Sequence, residues 1–382
     1  MRIALLGTRG IPASYSGFET CVEQLGQRLV QRGHQVTVYC RSHHITYKGT
    51  HYKGMRLVKL PTIPNKYLDT IVHTFISSLH ALTQHYDVAL YFIAGNSPVT
   101  WIPRLVGTKT ILNVDGLDWK REKWPPLAKK YIKLAEYLAT KLPTIYLTDS
   151  RVVQSYYRDR FGSEPLYIPY GSEVEIVPPG ETLARFGLEP GKYVLFVGRL
   201  VPENCVHHLV EAFRGLDTDL KCVIVGDAPY VADYIASLKA SAQGDPRIIF
   251  TGYVFGKGYY ELGSNAYIFV ETSGVGGTHP ALLEAMAFGN CVVVHNTPEN
   301  LETIGDAGLA YDGKAGDTDL RRVLQRLLSE PGVVEEYRRR ARQRAQTCYT
   351  WEAVTDAYER LFYQVCGKPM PDRLQQSQDQ GL

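Results

Sequence analysis

The stretch that decides the fold is AYIFVETSGVGGTHPALLEAMAF, residues 266–288. Its first five residues form a short apolar run that predicts a buried strand. A loop with two adjacent glycines follows, and residues 280–288 predict a helix whose first position is Pro280, after Thr278 or His279 as N-cap. A strand, a glycine loop and a helix in direct succession are typical of a parallel α/β sheet.

The same alternation of apolar runs and helical patterns continues on both sides of this stretch. It implies parallel sheets covered by helices on both faces, and we predict an α/β fold with two Rossmann-like doubly wound domains. Two such domains facing a central cleft would bind a ligand at the carboxyl ends of their strands. The predicted strands are 3–6, 35–40, 55–60, 88–92, 110–114, 144–147, 166–168, 193–197, 221–225, 247–250, 266–270 and 291–294; the predicted helices are 18–32, 68–85, 127–142, 152–161, 205–213, 280–288, 317–328, 333–346 and 351–365.

A segment rich in proline and glycine, residues 170–191, is the best candidate for a domain boundary. We therefore predict a first domain at residues 1–170, a linker at 171–191 and a second domain at 192–350. Residues 367–382 are rich in Gln, Ser and Asp, which predicts a flexible tail.

The composition is that of an ordinary globular protein, with 21% charged and 45% apolar residues among 382. A net charge of +3 carries no nucleic-acid signature. The seven cysteines are scattered and predict neither a zinc site nor a disulfide framework, which favours reduced thiols in the cytoplasm. The first apolar run is too short for a signal peptide, and the uncharged stretch 70–86 predicts an amphipathic helix rather than a membrane span.

Three loops are candidate anion sites because each follows a predicted strand and precedes a helix. Gly276 and Gly277 allow close backbone approach, and Glu284, one turn inside the helix, could accept hydrogen bonds from a ribose diol; the alternative is an ordinary helix start with a surface glutamate. Arg199 follows Gly198 at the end of strand 193–197, where its planar fork suits a diphosphate unless it is only a solvated loop residue.

The first predicted strand ends in GTRGIP, residues 7–12, and SGFET at 16–20 opens the next helix. Gly17 could let backbone N–H groups approach a phosphate, although an ordinary turn explains the loop equally well. The spacing is not Gly-x-Gly-x-x-Gly, which disfavours an NAD-dependent dehydrogenase.

Several motifs taken together resemble family-4 retaining glycosyltransferases of the GT-B fold: Gly198-Arg199, PALLEAMAFG at 280–289 and GYV at 252–254. GTRGIP, GFET at 17–20, NVDGLDWKR at 113–121 and PEN at 202–204 more closely resemble a bacterial branch that includes rhamnosyltransferases of cell-surface polysaccharide synthesis. The resemblance covers residues 1 to about 365.

This resemblance implies transfer of a sugar from a nucleotide diphosphate to a glycan or lipid-linked acceptor, with retention of configuration and without metal or cofactor. It also implies that C-terminal helices pack back toward the first domain, so that helix 351–365 completes it. The implied donor-binding residues are Gly17, Gly198, Arg199 for the diphosphate, Asn204, the backbone near Tyr253 for the base, the loop Gly276, Gly277, Thr278 and His279, and Glu284 for the ribose.

Asp115 and Glu19 are candidates, with Arg199, for catalysis: each could orient the acceptor or assist proton transfer, and each could equally have a structural role in its loop or helix. The sequence departs from the family at three positions: Gly276 replaces a second glutamate, Asn204 replaces a lysine, and Asp115 stands where many relatives carry a histidine. The departures bear on the donor contacts and on the sugar that is transferred.

Residues 119–133 hold six basic residues and one acidic residue, with Trp119 and Trp124 beside them. Such a composition suits an anionic membrane surface and predicts a cytoplasmic protein at the inner face of the membrane, whereas a solvated helix face with buried tryptophans is the alternative. Two rival functions share the expected architecture: a nucleotide-sugar epimerase, and a non-catalytic nucleotide-sugar-binding protein, for which Gly276 and Asn204 are the best support.

Overall fold

The computed structural model describes residues 1–13, 17–65, 67–121, 124–228 and 231–379. The chain divides into two compact units. Unit 1 consists of Met1–Gly171 and Trp351–Leu382, and unit 2 of Ser172–Thr350.

Strands and helices alternate along most of the chain. The strands are β1 Arg2–Leu6, β2 Gln35–Arg41, β3 His51–Tyr52, β4 Met55–Leu60, β5 Val88–Phe92, β6 Lys109–Asn113, β7 Ile145–Thr148, β8 Leu166–Tyr167, β9 Tyr193–Val197, β10 Lys221–Val225, β11 Ile248–Gly252, β12 Ile268–Glu271, β13 Cys291–His295 and β14 Leu309–Tyr311. The helices are α1 Gly17–Gln31, α2 Asp69–Ala81, α3 Pro126–Ala139, α4 Arg151–Phe161, α5 Glu181–Arg185, α6 Val206–Arg214, α7 Ala232–Ser241, α8 Lys257–Asn265, α9 Pro280–Phe288, α10 Pro298–Ile304, α11 Asp317–Ser329, α12 Pro331–Cys348, α13 Trp351–Cys366 and α14 Asp372–Asp379.

Unit 1 is built on a sheet that, over the described residues, has eight strands in the order β3-β4-β2-β1-β5-β6-β7-β8. Every pairing is parallel except that of β3 with β4 at the edge. All five residues of β5 are buried, as expected for a central strand with helices on both faces. The prediction of an α/β fold with parallel sheets is therefore confirmed for this unit.

Helix α13 belongs to unit 1, although the 179 residues of unit 2 lie between it and the rest of unit 1 in the sequence. The fully buried carboxylate of Glu359 accepts hydrogen bonds from His34 Nε2 at 2.8 Å and from Arg32 Nη1 at 3.0 Å. Arg373 of α14 also donates to Glu359, and Leu374 beside it is buried. The structure thus has a packed helix where we predicted the beginning of a flexible tail, because these two residues attach α14 to α13.

Unit 2 contains a parallel sheet with six strands among the described residues, in the order β11-β10-β9-β12-β13-β14. Its core consists of apolar side chains from both faces of this sheet and from the helices that cover them. The sequence pattern predicted α9, β9 and β10 to the residue. It missed α5, α7, α8, α10, β3 and β14, which are short or, like α7, bury little apolar surface.

Candidate functional site

The carboxyl ends of β9, β10 and β11 lie side by side, and each ends in or is followed by a glycine. Gly198 N–H donates to Val225 O at 3.0 Å, and Gly226 N–H donates to Gly252 O at 2.9 Å. A Cβ on Gly226 would lie 1.8 Å from Gly198 O, and its φ of +135° also disfavours any side chain. Gly226 was not predicted as a site residue; the GD pair after the apolar run 221–225 was its only sequence signal.

Arg199 lies in the loop that leaves β9 at this glycine-lined edge, and it is half-buried. Asn204 holds the loop: its Nδ2 donates to Arg199 O at 2.8 Å, and its own carbonyl accepts from Thr272 Oγ1 at 2.5 Å. Within the described residues, no carboxylate forms an ion pair with the Arg199 guanidinium. Asn204, predicted as a donor-binding residue, is buried, and its hydrogen bonds support the loop that carries Arg199.

The glycine loop before α9 adjoins the Arg199 loop, because Gly274 N–H donates to Glu203 O at 3.0 Å. His279 is the N-cap residue of α9 and Pro280 is its first residue, as the sequence predicted. The His279 side chain makes no capping hydrogen bond. Its ring instead covers Gly276, where a Cβ would lie 2.7 Å from His279 Cε1. The imidazole thus occupies the space beside the position at which the resembled family carries a glutamate.

Glu284 is half-buried on α9 and accepts a hydrogen bond from Tyr259 Oη on α8. Burial raises the pKa of Glu284 to about 7, although the Tyr259 hydrogen bond acts in the opposite direction. The carboxyl can therefore change its charge near neutral pH. Tyr259 was not singled out in the sequence, because the pairing joins residues 25 positions apart on two different helices.

Tyr253 follows β11 at the same edge and is largely exposed. Its hydroxyl donates to Asp227 O at 3.0 Å, and its ring stacks on Phe255 with centroids 5.6 Å apart. A cavity of about 330 Å³ adjoins the two rings. It is lined by Glu181, Thr182, Arg185, Phe186, Tyr253, Val254, Phe255 and Gly258.

The loop candidates of unit 1 have different surroundings. Gly17 is the first residue of α1, and its carbonyl accepts a hydrogen bond from Tyr170 Oη; residues 14–16 before it lie outside the described residues. Glu19 is buried, and its Oε1 accepts the backbone N–H of Arg9 at 3.0 Å. This placement favours the structural role of Glu19, holding the glycine loop, over contact with an acceptor.

Asp115 follows β6 and adopts a left-handed backbone conformation, with φ of +58°. Its N–H donates to Asn113 Oδ1 at 3.0 Å. Burial, and then the neighbouring carboxylates of Asp149 and Asp118, raise the pKa of Asp115 well above its usual range. A carboxyl with a raised pKa at the end of a central strand can accept or return a proton near neutral pH.

The basic stretch 119–133 is only partly exposed, and Glu122 and Lys123 in it lie outside the described residues. Trp119 and Trp124 are half-buried, and Lys133 Nζ lies 4.2 Å from the centroid of the Trp119 ring. Neither tryptophan therefore projects freely from this stretch. Over the described residues, the helices are too short or too polar for any of them to traverse a bilayer.

One group of side chains in unit 1 has the spacing of metal ligands: His43, His44 and Asp69, whose ligand atoms lie within 4.8 Å of one another. Asp69 is already ion-paired with Arg41, at 2.7 Å. A guanidinium at this distance opposes the binding of a second cation by the same carboxylate.

The two sheets and their helices define the class of protein: the chain consists of two α/β domains with the GT-B glycosyltransferase fold. Residues 183–347 match the family model of glycosyl transferases group 1, and residues 1–173 match a domain of unknown function named DUF1972. Unit 2 therefore carries a group 1 glycosyltransferase domain.

The chain is similar in sequence to curated proteins over part of its length. It is 28% identical over 165 residues to the O-antigen chain mannosyltransferase B of Escherichia coli, covering 42% of each chain, and 26% identical over 201 residues to the alpha-maltose-1-phosphate synthase of Mycobacterium tuberculosis, covering 49% of this chain and 52% of that one. The chain thus spans about half the length of the curated relatives it matches.

Among solved structures, sucrose-phosphate synthase from Thermosynechococcus elongatus has a TM-score of 0.82 at 21% identity, over 96% of this chain and 99% of that one. HepE of Anabaena in complex with UDP-glucose has a TM-score of 0.76 at 15% identity, over 95% and 100% of the two chains. These likenesses describe the fold.

Proposed function

We propose that the protein is a retaining glycosyltransferase that moves a hexose or a deoxyhexose such as rhamnose from a nucleotide-diphosphate donor to a glycan or lipid-linked acceptor. One observation carries the proposal: Arg199 has no carboxylate partner within the described residues and lies at an edge where Gly198 and Gly226 place no side chains on two neighbouring strand ends. A planar cation beside glycine-lined strand ends suits a diphosphate.

The remaining donor contacts follow from the arrangement around Arg199. The N-terminus of α9, with Gly276 and Gly277 before it, offers positive helix-dipole potential to the phosphates or the sugar. Glu284, once ionised, accepts hydrogen bonds from the ribose diol. The exposed pair of Tyr253 and Phe255 offers an aromatic surface to the base. UDP-glucose in the HepE structure makes uridine nucleotides the first candidates among donors.

In the proposed reaction, the bond between the anomeric carbon and the diphosphate oxygen breaks, and its electron pair stays on the diphosphate. The acceptor oxygen bonds to the same face of the anomeric carbon, and its proton passes to the departing diphosphate. Arg199 stabilises the charge that develops on the leaving group. Because this guanidinium and backbone N–H groups supply positive charge, the proposal requires neither a metal ion nor a cofactor.

We assign Asp115 the role of orienting the acceptor hydroxyl or relaying its proton, because its raised pKa matches that task. The O-antigen mannosyltransferase relative supports a role in polysaccharide synthesis. In our proposal, the sugar is transferred to lipid-linked acceptors at the inner face of the membrane. Residues 119–133, with their excess of lysine, remain the part of the chain that we expected at that surface.

A thermal-shift screen with UDP-glucose, GDP-mannose and dTDP-rhamnose tests the donor class. A donor that binds only the folded protein raises the unfolding temperature with concentration, and we expect one nucleotide to do so strongly. Arg199→Ala should remove most of that shift, whereas Arg214→Ala, an exposed arginine of the same unit, should keep it. Equal shifts in both variants would contradict the role of Arg199.

The same nucleotide sugars separate the rival functions. Binding without transfer to an acceptor would favour a non-catalytic binding protein. Interconversion of the free donor would favour an epimerase.

A further inference from the structure

Helix α3 exposes an apolar stripe on the side away from the core. Ile132, Ala135 and Ala139 are buried against unit 1. The opposite stripe follows the helical repeat and consists of Leu127, Tyr131, Leu134 and Tyr137, all exposed. Leu127 is 80% exposed and Leu134 55%. A surface helix of a monomeric soluble protein normally presents polar residues on this side.

Helix α2 has the reverse of the usual pattern, with polar side chains inside and apolar ones outside. His73, Thr74, Ser77 and Ser78 are buried, and Ser78 Oγ hydrogen-bonds Tyr91 Oη at 2.8 Å. The exposed residues are apolar: Leu68, which precedes the helix, Phe75 and Leu79. The sequence predicted an amphipathic helix over 68–85, but its apolar face is the one that faces outward.

Two short 3₁₀ segments connect this region: Ala94–Val99 contacts both α2 and α3, and Ile102–Val106 contacts α2. This connection also exposes large apolar side chains: Trp101, Leu105 and Val106. Arg104 ties it to the end of the α3 region, since its Nη1 donates to Leu142 O at 2.5 Å. We call the exposed apolar residues of α2, α3 and this connection, together with Leu68, the apolar face.

Among the described residues of α2, α3, this connection and the turn after α3, the exposed charged side chains are all basic. Exposed Lys130, Lys141 and Arg104 border the apolar face, and Lys129 and Lys133 lie beside them on α3. The carboxylates on the two helices point elsewhere: Glu136 of α3 is buried and accepts from Tyr156 Oη at 2.9 Å, and Asp69 of α2 is ion-paired with Arg41. Exposed aliphatic and aromatic side chains bordered by lysines are typical of surfaces that lie in the headgroup region of an anionic bilayer.

We infer that the apolar face docks on an anionic membrane, with Leu127, Leu134, Phe75 and Leu105 inserted among the acyl-chain ends and the lysines at the phosphates. This surface shares residues 127–133 with the basic stretch predicted from the sequence, but its apolar side chains do not include Trp119 and Trp124, both of which are half-buried. A membrane explains the face better than a protein partner, because Lys129, Lys130 and Lys133 in the first half of α3, and Lys141 after its end, complement lipid phosphates. The inference stands on its own and needs no donor or transfer reaction.

Vesicle flotation of the full chain tests this inference. We expect recovery with phosphatidylcholine vesicles that contain phosphatidylglycerol and much less with phosphatidylcholine alone, since both apolar insertion and charge contribute. The double variant Leu127→Glu/Leu134→Glu should lose about tenfold or more of the vesicle binding, because two exposed leucines no longer enter the bilayer. Leu301→Glu, at an exposed leucine on α10 of unit 2, should bind like the unchanged protein.

Two further measurements make the result unambiguous. The unfolding temperature and the donor-induced thermal shift of the double variant should match those of the unchanged protein, which separates docking from folding and from the proposed function. Equal flotation of the double variant, or no flotation of the unchanged protein with either vesicle, would overturn the inference. Self-association of the unchanged protein that the double variant abolishes, without vesicle binding, would assign the apolar face to a second copy instead.

Discussion

Glu284 lies near the start of helix α9, and its carboxyl changes charge near neutral pH. Burial raises its pKa to about 7, so its protonated and ionised forms coexist there. The ionised form accepts charge-assisted hydrogen bonds from both hydroxyls of a ribose diol, whereas the protonated form carries a proton on one oxygen and makes weaker, neutral hydrogen bonds. The chemistry of this residue therefore predicts a pH dependence of nucleotide binding.

We expect the ratio of nucleotide affinity between the unchanged protein and Glu284→Gln to rise as pH increases through about 7. The ionised carboxylate contributes charge-assisted hydrogen bonds, which predicts a difference of about tenfold or more on the alkaline side. Isothermal titration with UDP or the best nucleotide of the screen measures it, and the ratio cancels the titration of the phosphates. A ratio that does not change with pH would contradict the assignment of Glu284 to the ribose.

Glu359 of α13 shows how an element distant in the chain is attached to unit 1. Burial opposes its ionisation, but hydrogen bonds from His34, Arg373 and Arg32 outweigh burial and lower the pKa of Glu359 to about 2. A carboxyl with a lowered pKa contributes stability above its ordinary value of 4.5, and this contribution is lost as pH falls from there toward about 2.

We expect Glu359→Gln to lower the free energy of unfolding of unit 1 by about 3 kcal/mol at neutral pH, because it removes the buried anion that accepts hydrogen bonds from His34, Arg32 and Arg373. Urea unfolding of the full chain, followed by hydrogen exchange in β1 and β2, measures this loss. The difference should shrink in acid, where the unchanged Glu359 also becomes neutral. Glu164→Gln, an exposed glutamate of unit 1, serves as the control. A difference of the same size at both pH values would refute this account of α13.

The elements also show what the sequence could and could not predict. Buried parallel strands such as β5, β9 and β10 have continuous apolar runs, and α9 lies between Pro280 and Gly289, so their limits could be predicted to the residue. Helix α2 was predicted, but not which face it buries, because its buried polar groups find partners such as Tyr91 from another strand. Short helices with little buried apolar surface gave no periodic signal.

The same limit applies to the site. Motifs located Arg199, Glu284 and the loop before α9, because glycines, a proline and a strand end are local features. The partner Tyr259 and the close approach of Gly226 to Gly198 depend on contacts between separate elements, which no spacing in the sequence reports. Asn204 and Glu19 have side chains that hold backbone groups, a role that residue type alone does not reveal.

At the scale of the whole molecule, each unit supplies a different part of the proposed reaction. Unit 2, with its group 1 glycosyltransferase domain, holds the candidate donor site around Arg199. Unit 1 holds Asp115 and the apolar face, which suit an acceptor that is attached to a membrane. The net charge of +3 arises from the basic stretch 119–133 of unit 1, since the rest of the chain has an excess of acidic residues.

The most direct test of the central claim is release of the nucleoside diphosphate from the best nucleotide sugar, measured with the full chain, with and without membrane-extracted acceptor lipid and in the presence of a chelator. We expect release that depends on acceptor, continues in the chelator and falls by about a hundredfold or more in Arg199→Ala, since that guanidinium stabilises the leaving group. The exposed-arginine variant Arg214→Ala should release at the rate of the unchanged protein. An unchanged rate in a folded Arg199→Ala protein would contradict the claim.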